Sequence, residues 1–437
     1  MNQNILNSNK NTVSNILLSF IPISFILGNL VLNINIGLFI IFSLYAYKDE
    51  VLKFEFHFFD KILVIFFTYI ILIGLYNFFI DFPKNNEILI KSILFLRYFL
   101  LFIIIRVLIV SNNINFHLFF LLCSISVIFV SLDLIFQYHF GKDIFGIEGS
   151  GRRLGGPFGD ELVAGSFLQR FSFFLFFFFL SLQLIKRITK KSSIFLFLIL
   201  SSIIIFGLVM AGNRVPLLMF LIISILIFIF NSQNRIYFFF IILTTVGIFT
   251  IMYNSNLETR YHYGHFKNKV SYLLNTFTDK HLVKENDLEK AKTSDEKYYV
   301  IKLKDKNYRI TSSYVLQFYS GYETWKQNKI FGGGLKSFKI NCPKVLRNCS
   351  THPHNYYLEI LSDLGIIGFV LICFIGVYII YKSFLVKNRI LTPFIYLFLI
   401  EIFPFKTTGS FFTTSNSTYI FLILAVIAGY SLNKKFI

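Results

Sequence analysis

The stretch THPHNYYLEILSDLGIIGFVLICFIGVYIIY, residues 351–381, opens on two histidines and an asparagine and then turns apolar. An apolar run of this length reads as a helix in lipid, because only helices or closed barrels pair all their backbone groups there. The run is continuous rather than alternating, which excludes a barrel strand. Working outward, comparable runs lie at 14–31, 33–47, 62–81, 88–110, 115–138, 162–185, 193–211, 215–230, 235–253, 390–404 and 417–433. With 356–381 they make about twelve spans. The chain is 55% hydrophobic with 58 phenylalanines, more than one soluble core buries. Its mean hydropathy is +0.65.

The expected fold class is therefore an all-α polytopic membrane protein of about twelve transmembrane helices with one large periplasmic loop. Helices one to nine fall in 1–253, the loop in 254–355 and helices ten to twelve in 356–437. The first apolar segment lacks a basic flank and a small-residue cleavage site, so it is expected to stay as a span. Short loops rich in Lys and Arg favour the cytoplasm. The clusters Lys186–Arg187–Lys190–Lys191, Lys382–Lys387–Arg389 and Lys434–Lys435 all fall on one side when spans are counted. Both termini are then cytoplasmic, and 139–161, 211–214, 254–355 and 404–416 face outward.

The net charge of +19 draws much of its excess from 254–355, with 18 Lys+Arg against 9 Asp+Glu. An outward basic face suits an anionic lipid-linked substrate or membrane lipids rather than nucleic acid. A merely solvated loop accounts for many of those lysines equally well. Cys123 and Cys373 sit inside apolar spans as packing residues. Cys342 and Cys349, in NCPKVLRNCS, are placed to close a small disulfide ring in an oxidising compartment. A zinc site would need His352 and His354 as its other ligands.

Polar groups gather at the outward ends of the spans in four patches. Residues 149–171, GSGRRLGGPFGDELVAGSFLQRF, carry Arg152, Arg153, Asp160 and Glu161 in a Gly-rich turn. Glycine lets a ligand approach the backbone, and paired arginines grip phosphate oxygens. In MAGNRVPLLMF, Arg214 stands at the junction of two spans, as a phosphate ligand or a snorkelling anchor. In the opening stretch, Pro353 fits the first helical position, which puts His354 and Asn355 in the first turn. The helix dipole there disfavours imidazolium and welcomes an anion, so His354 is expected to be neutral and able to accept a proton. The His352–His354 pair lacks a defined third metal ligand. In FPFKTTGSFFTTSNSTY, Lys406 reads as a phosphate contact or an interfacial lysine.

No GxxxxGK[ST] loop, GxGxxG turn, EF-hand or HExxH pattern occurs. Any activation energy must then arrive stored in the substrate, as in a polyprenyl diphosphate sugar.

At these residues the chain resembles the O-antigen ligase and O-antigen polymerase superfamily of bacterial envelope glycosyltransferases. The ligase signature of His, an amide or hydroxyl residue, nine residues, Gly, two residues and a small or aromatic residue is matched by His354, Asn355, Gly365 and Gly368. Arg214 in GNR resembles the family arginine after a Ser-Arg-like turn, with Asn213 for the usual Ser. Arg153 resembles the arginine ahead of a Gly-containing turn, and FGGGLKSF resembles the Gly-x-Gly segment. Where many ligases carry an arginine before that segment this chain has Tyr314, and Arg309 or Arg260 are the candidates to compensate.

The resemblance implies a GT-C-type glycosyltransferase in the inner membrane, working at the periplasmic face without metal or other cofactor. It would move a glycan from undecaprenyl diphosphate to lipid A–core with inversion. His354 would position or deprotonate the acceptor hydroxyl, and Arg214 and Arg153, with Lys406, would neutralise the diphosphate. Arg152, Asn355 and His352 are further candidate contacts; Asp160 and Glu161 are the rival bases. A polymerase shares the His motif and differs in acceptor. A lipid or ion transporter, or a non-catalytic envelope protein, is the reading of another class. A transporter would show charges within the spans, and Arg97, Arg106 and Arg170 do lie within apolar runs.

Overall fold

The structure is a computed structural model that describes residues 2–80, 86–149, 153–184, 190–261, 263–264, 299–303, 306–310, 313–346, 349–386, 388, 390–404, 406–407, 409–432. Arg152, the clusters at Lys186–Arg187, Lys387–Arg389 and Lys434–Lys435, and most of the charged stretch 279–306 lie outside the described residues. The helices are α1 (Asn2–Ser19), α2 (Ile21–Ile26), α3 (Asn29–Ala46), α4 (Lys48–Leu52), α5 (Phe58–Ile80), α6 (Asn86–Val110), α7 (Phe116–Phe140) and α8 (Ala164–Leu184). They continue as α9 (Lys190–Met210), α10 (Arg214–Phe230), α11 (Arg235–Ser255), α12 (Ser313–Gln327), α13 (Phe338–Asn341), α14 (Tyr356–Phe384), α15 (Leu391–Glu401) and α16 (Thr414–Ser431). A two-stranded antiparallel hairpin, β1 (Tyr299–Leu303) with β2 (Lys306–Ile310), precedes α12.

The chain is an α-helical polytopic membrane protein. Among the described residues six helices, α3, α5, α6, α7, α11 and α14, are long and apolar enough to cross a membrane, and α8, α9, α10 and α15 carry shorter apolar stretches. The expected span 14–31 is divided instead. Pro22 lies in the first turn of α2, and Gly28, at φ 98°, separates α2 from α3. Proline cannot donate an amide hydrogen and glycine tolerates that φ, so the helix is interrupted near Pro22 and the chain turns at Gly28 where hydropathy alone reads one span.

Helix α16 is buried on every side from Asn416 to Ser431 and forms the centre of the bundle. Aromatic rings join it to its neighbours. Phe421 stacks on Tyr98 with centroids 6.0 Å apart and lies 5.4 Å from Phe67, which ties α16 to α6 and α5. Phe174 of α8 lies 5.3 Å from Phe119 of α7 and 4.9 Å from Phe394 of α15. Edge and offset ring contacts of this kind add about 0.5–1.5 kcal/mol each beyond area burial. The phenylalanine excess is thus spent on helix–helix packing.

One end of the bundle is latched by amides: Tyr47 donates to Asn11 at 2.7 Å, and Asn15 donates to the Asn113 carbonyl at 2.9 Å. Nearby, Arg106 of α6 is ion-paired with Asp60 of α5, both side chains wholly buried, and Asp60 also accepts the His57 amide at 2.8 Å. Arg97 donates to the Tyr98 hydroxyl at 2.8 Å, and Arg170 pairs with Glu401. All three intramembrane arginines therefore have protein partners. Removing one member of a buried pair costs about 3–5 kcal/mol, whereas replacing both by apolar residues is often tolerated. Asp60→Ala is expected to lower the thermal unfolding midpoint in detergent sharply, and Asp60→Leu with Arg106→Leu much less. Equal losses for the single and double variants would show that the pair is not what stabilises this end.

Candidate functional site

The site is organised by a break in α14. Gly365 stands inside that helix at φ 65° and ψ −169°, a region open to glycine alone. The chain therefore splits into a half-helix, 356–364, and a longer arm, 366–384. A break strands carbonyls of the first half and amides of the second. The segment 329–338 supplies partners for both. Gly333 and Gly334 donate their amides to the carbonyls of Ser362 (3.1 Å) and Asp363 (2.7 Å), and Ile366 donates to the Lys329 carbonyl at 2.9 Å. The Asp363 carboxylate accepts the amides of Lys336 (2.7 Å) and Phe338 (3.0 Å) and the Ser337 hydroxyl (3.1 Å). Tyr69 donates to the Leu364 carbonyl at 2.7 Å. Backbone meets backbone here, so a Cβ on Gly332 would lie 2.5 Å from Asp363, and one on Gly365 would collide with the Ile330 carbonyl.

At the start of the half-helix the structure corrects the expected register. Asn355 is the N-cap: its side-chain oxygen accepts the amides of Tyr357 (3.0 Å) and Leu358 (3.2 Å). Its side-chain nitrogen donates to the Pro404 carbonyl at 2.7 Å. Its side-chain oxygen and one of its amide hydrogens are thereby committed within the protein, which gives it a structural role. Pro353 and His354 lie before the cap, not in the first turn, and His354 adopts φ 53°. The reason is local: the asparagine amide is a better cap than proline is a first helical residue once Pro404 is within reach.

His354 is half-buried, with its ring centroid 4.1 Å from that of His352 and 5.9 Å from Tyr314, which meets it edge-on. Thr351 contacts Nδ1 of His352 at 3.0 Å. Cys342 and Cys349 are joined in a disulfide with Cα atoms 6.0 Å apart, closing the loop just ahead of the histidines. Pro353 packs on Gly321 of α12, where a Cβ would come within 2.8 Å of it.

The arginines form a second cluster. Arg214 is the first residue of α10, and the preceding Asn213 accepts the Gly165 amide at 3.2 Å and donates to the Leu162 carbonyl at 3.1 Å. Asn213 thus fastens the start of α8 to the start of α10. Tyr263 lies within electrostatic range of both Arg214 and Arg153: burial pushes its phenol up to about 12, opposed by those two positive charges. Arg153 is half-buried, whereas Asp160 and Glu161 are exposed on the turn that follows. Arg260 donates to the carbonyls of Tyr253 and Asn254 and so closes the end of α11. Arg309 lies on β2, and its side chain is outside the described residues.

Lys406 is not poised as a free phosphate contact. It is buried, and its ammonium donates to Glu401 at 2.7 Å. Burial pulls its pKa down and the Glu401 charge opposes that fall. Glu401 also takes Arg170 at 2.5 Å and the Tyr356 hydroxyl at 2.8 Å, and Arg170 donates to Asn416 at 2.7 Å. Helix α8 links the two clusters: Gly165 meets Asn213, and Arg170 meets Tyr356, the residue two after His354. Five residues of helix are about 7.5 Å of rise, so both clusters occupy one end of the bundle. Among the described residues no group of three metal-ligating side chains converges.

A family model described as O-antigen ligase matches residues 195–373, about two fifths of the chain. The match runs from α9 into α14 and takes in Arg214, Tyr263, the Gly332–Gly334 segment, His354 and Gly365. Over those residues the chain is similar to the O-antigen ligase-like superfamily. That superfamily is one of membrane glycosyltransferase-like enzymes. No curated protein matches the chain. The matched part of this ligase-like chain holds the His loop and the helix break, while Arg153, Arg170, Glu401 and Lys406 lie outside it.

Tyr263, Tyr356 and Glu401 escaped sequence reasoning, and Tyr314 entered it only as the residue at the position of an arginine. Glu401 had one visible signal, an acid at the end of an apolar run opposite an intramembrane Arg170. Gly365→Ala should disrupt the break because the added methyl meets a fixed backbone carbonyl and the φ is strained for alanine. The expected result is a folded yield or unfolding midpoint well below that of Gly376→Ala, whose Cβ would meet only the end of Ile402 at 3.8 Å. Peptide mapping of unreduced protein is expected to recover Cys342 linked to Cys349; two free thiols would remove the bridge from this account.

Proposed function

We propose that the protein transfers a glycan from undecaprenyl diphosphate to a hydroxyl of lipid A–core at the periplasmic face of the inner membrane. The reading gives 254–355 the role of a periplasmic domain between two transmembrane parts of a GT-C-type fold. The observation that carries it is His354, held just ahead of a capped half-helix at the same end of the bundle as Arg214 and Arg153. A base and a pair of cations on one water-facing end match a reaction in which a hydroxyl loses a proton and a diphosphate departs.

In the proposed step the acceptor oxygen bonds to the anomeric carbon while the bond from that carbon to the diphosphate oxygen breaks. The hydroxyl proton passes to His354, and undecaprenyl diphosphate leaves with the electron pair. Attack opposite the leaving group inverts the anomeric carbon. Arg214 and Arg153 stabilise the charge that builds on the leaving oxygens, and Arg152 is assigned to the same task by its place in the sequence. Burial raises the Tyr263 phenol, so it is assigned here the role of a donor rather than a second anion. His352 backs the His354 ring. No step in this scheme draws on a metal or other cofactor.

Removing a general base costs about 100- to 10,000-fold, and removing one charge-stabilising donor about 100- to 1,000-fold. His354→Ala and Arg214→Ala are each expected to fall at least about 100-fold in transfer while inserting and folding normally. The measurement uses purified full-length protein with an undecaprenyl diphosphate glycan, lipid A–core as acceptor and EDTA present. Retained transfer in both variants would overturn the assignment, and extension of the glycan on its carrier in place of ligation would make the protein a polymerase.

A further inference from the structure

Three consecutive residues after His354 are all fastened to the segment 401–404. Asn355 donates to the Pro404 carbonyl at 2.7 Å, the Tyr356 hydroxyl to Glu401 at 2.8 Å, and the Tyr357 hydroxyl to the Ile402 carbonyl. Glu401 is itself wholly enclosed. One of its oxygens takes Tyr356 and Arg170, and the other takes Arg170 Nε at 3.3 Å and Lys406 Nζ at 2.7 Å. Two cations thus meet one carboxylate in a dry interior. Clusters of this kind contribute little net stability, since apolar residues of like volume often serve as well, and in some proteins they specify one arrangement instead.

We infer that Glu401 is a positioning residue for His354, acting through Tyr356, with Arg170 and Lys406 holding its carboxylate in place. The inference rests on the proposed role of His354 as the group that takes the acceptor proton. His354 sits in the left-handed region, which a non-glycine residue keeps only where its surroundings over-determine it. The clamp on 355–357 supplies that constraint from one side, and the disulfide-closed loop ahead of His352 supplies it from the other. Lys406 and Arg170 then serve the reaction without touching substrate. A misplacement of about 1 Å in a reacting group costs about 100-fold in rate, so loosening one of the three fastenings should be felt in kcat.

The test compares Tyr356→Phe and Tyr357→Phe with the wild-type full-length protein in the ligation assay. Each substitution removes one hydroxyl and leaves the ring, which for Tyr356 keeps its contact with Phe411 at 5.4 Å. The expected result is a roughly 10-fold loss of kcat for Tyr356→Phe, with donor KM and the unfolding midpoint close to wild type, and a larger loss in the double variant. A role confined to stability would lower the midpoint and leave kcat per folded molecule unchanged, and that outcome overturns the inference. Wild-type kcat in both single variants, or a loss confined to KM, also overturns it while leaving the function standing. Absence of transfer by the wild-type protein itself would instead remove the functional reading and this inference with it.

Discussion

The exchange of backbone hydrogen bonds between 329–338 and 362–367 is the constraint on which the candidate site depends. A helix interrupted in its interior leaves amides and carbonyls without partners, and in an apolar setting each unpaired group is costly. Here a second strand of chain, rich in glycine, comes close enough to accept and donate at the break. The result fixes the direction of the half-helix 356–364 independently of the long arm 366–384. The capped end of that half-helix, and with it His354, is then carried to a set position.

The buried charges follow a common logic at both ends of the bundle. Asp60 with Arg106, and Glu401 with Arg170 and Lys406, are each enclosed, and each carboxylate is answered by a further hydrogen bond. An isolated charge in such surroundings would be prohibitively unstable, so these groups are tolerated only when paired; the Glu401 carboxylate is met on both oxygens, whereas Nε and Nη2 of Arg106 have no hydrogen-bond partner. The two networks differ in what lies beside them. Next to Asp60 is the His57 amide, and its partner Arg106 lies over the Phe54 ring. Next to Glu401 is the tyrosine that begins the half-helix behind His354.

Much of the helical fold was legible in hydropathy, because an apolar run that must satisfy its own backbone has few alternatives. The exceptions are instructive. Pro22 and Gly28 divide an apolar stretch that composition reads as one span, and they act through backbone geometry that a hydropathy window does not weigh. At the site, His354, Asn355, Gly365 and Arg214 stood out by type and spacing. Their roles were less legible: Asn355 reads as a polar contact but is spent on capping, and Lys406 reads as a free cation but is neutralised by an acid five residues earlier.

By itself the sequence determined an α-helical membrane chain, a His-Asn motif at the mouth of one helix, and a ligase-like spacing of glycines. These are properties of residue type and periodicity, and they need no partner to be seen. Only the tertiary structure decided that Gly365 breaks its helix, that Asn213 fastens α8 to α10, and that Tyr263 feels the charges of both Arg153 and Arg214. The physical reason is that a hydrogen bond or an ion pair is a relation between two places. Its second member, whether Ile330 for Gly365 or Glu401 for Arg170, is brought there by the packing of helices far apart in the chain.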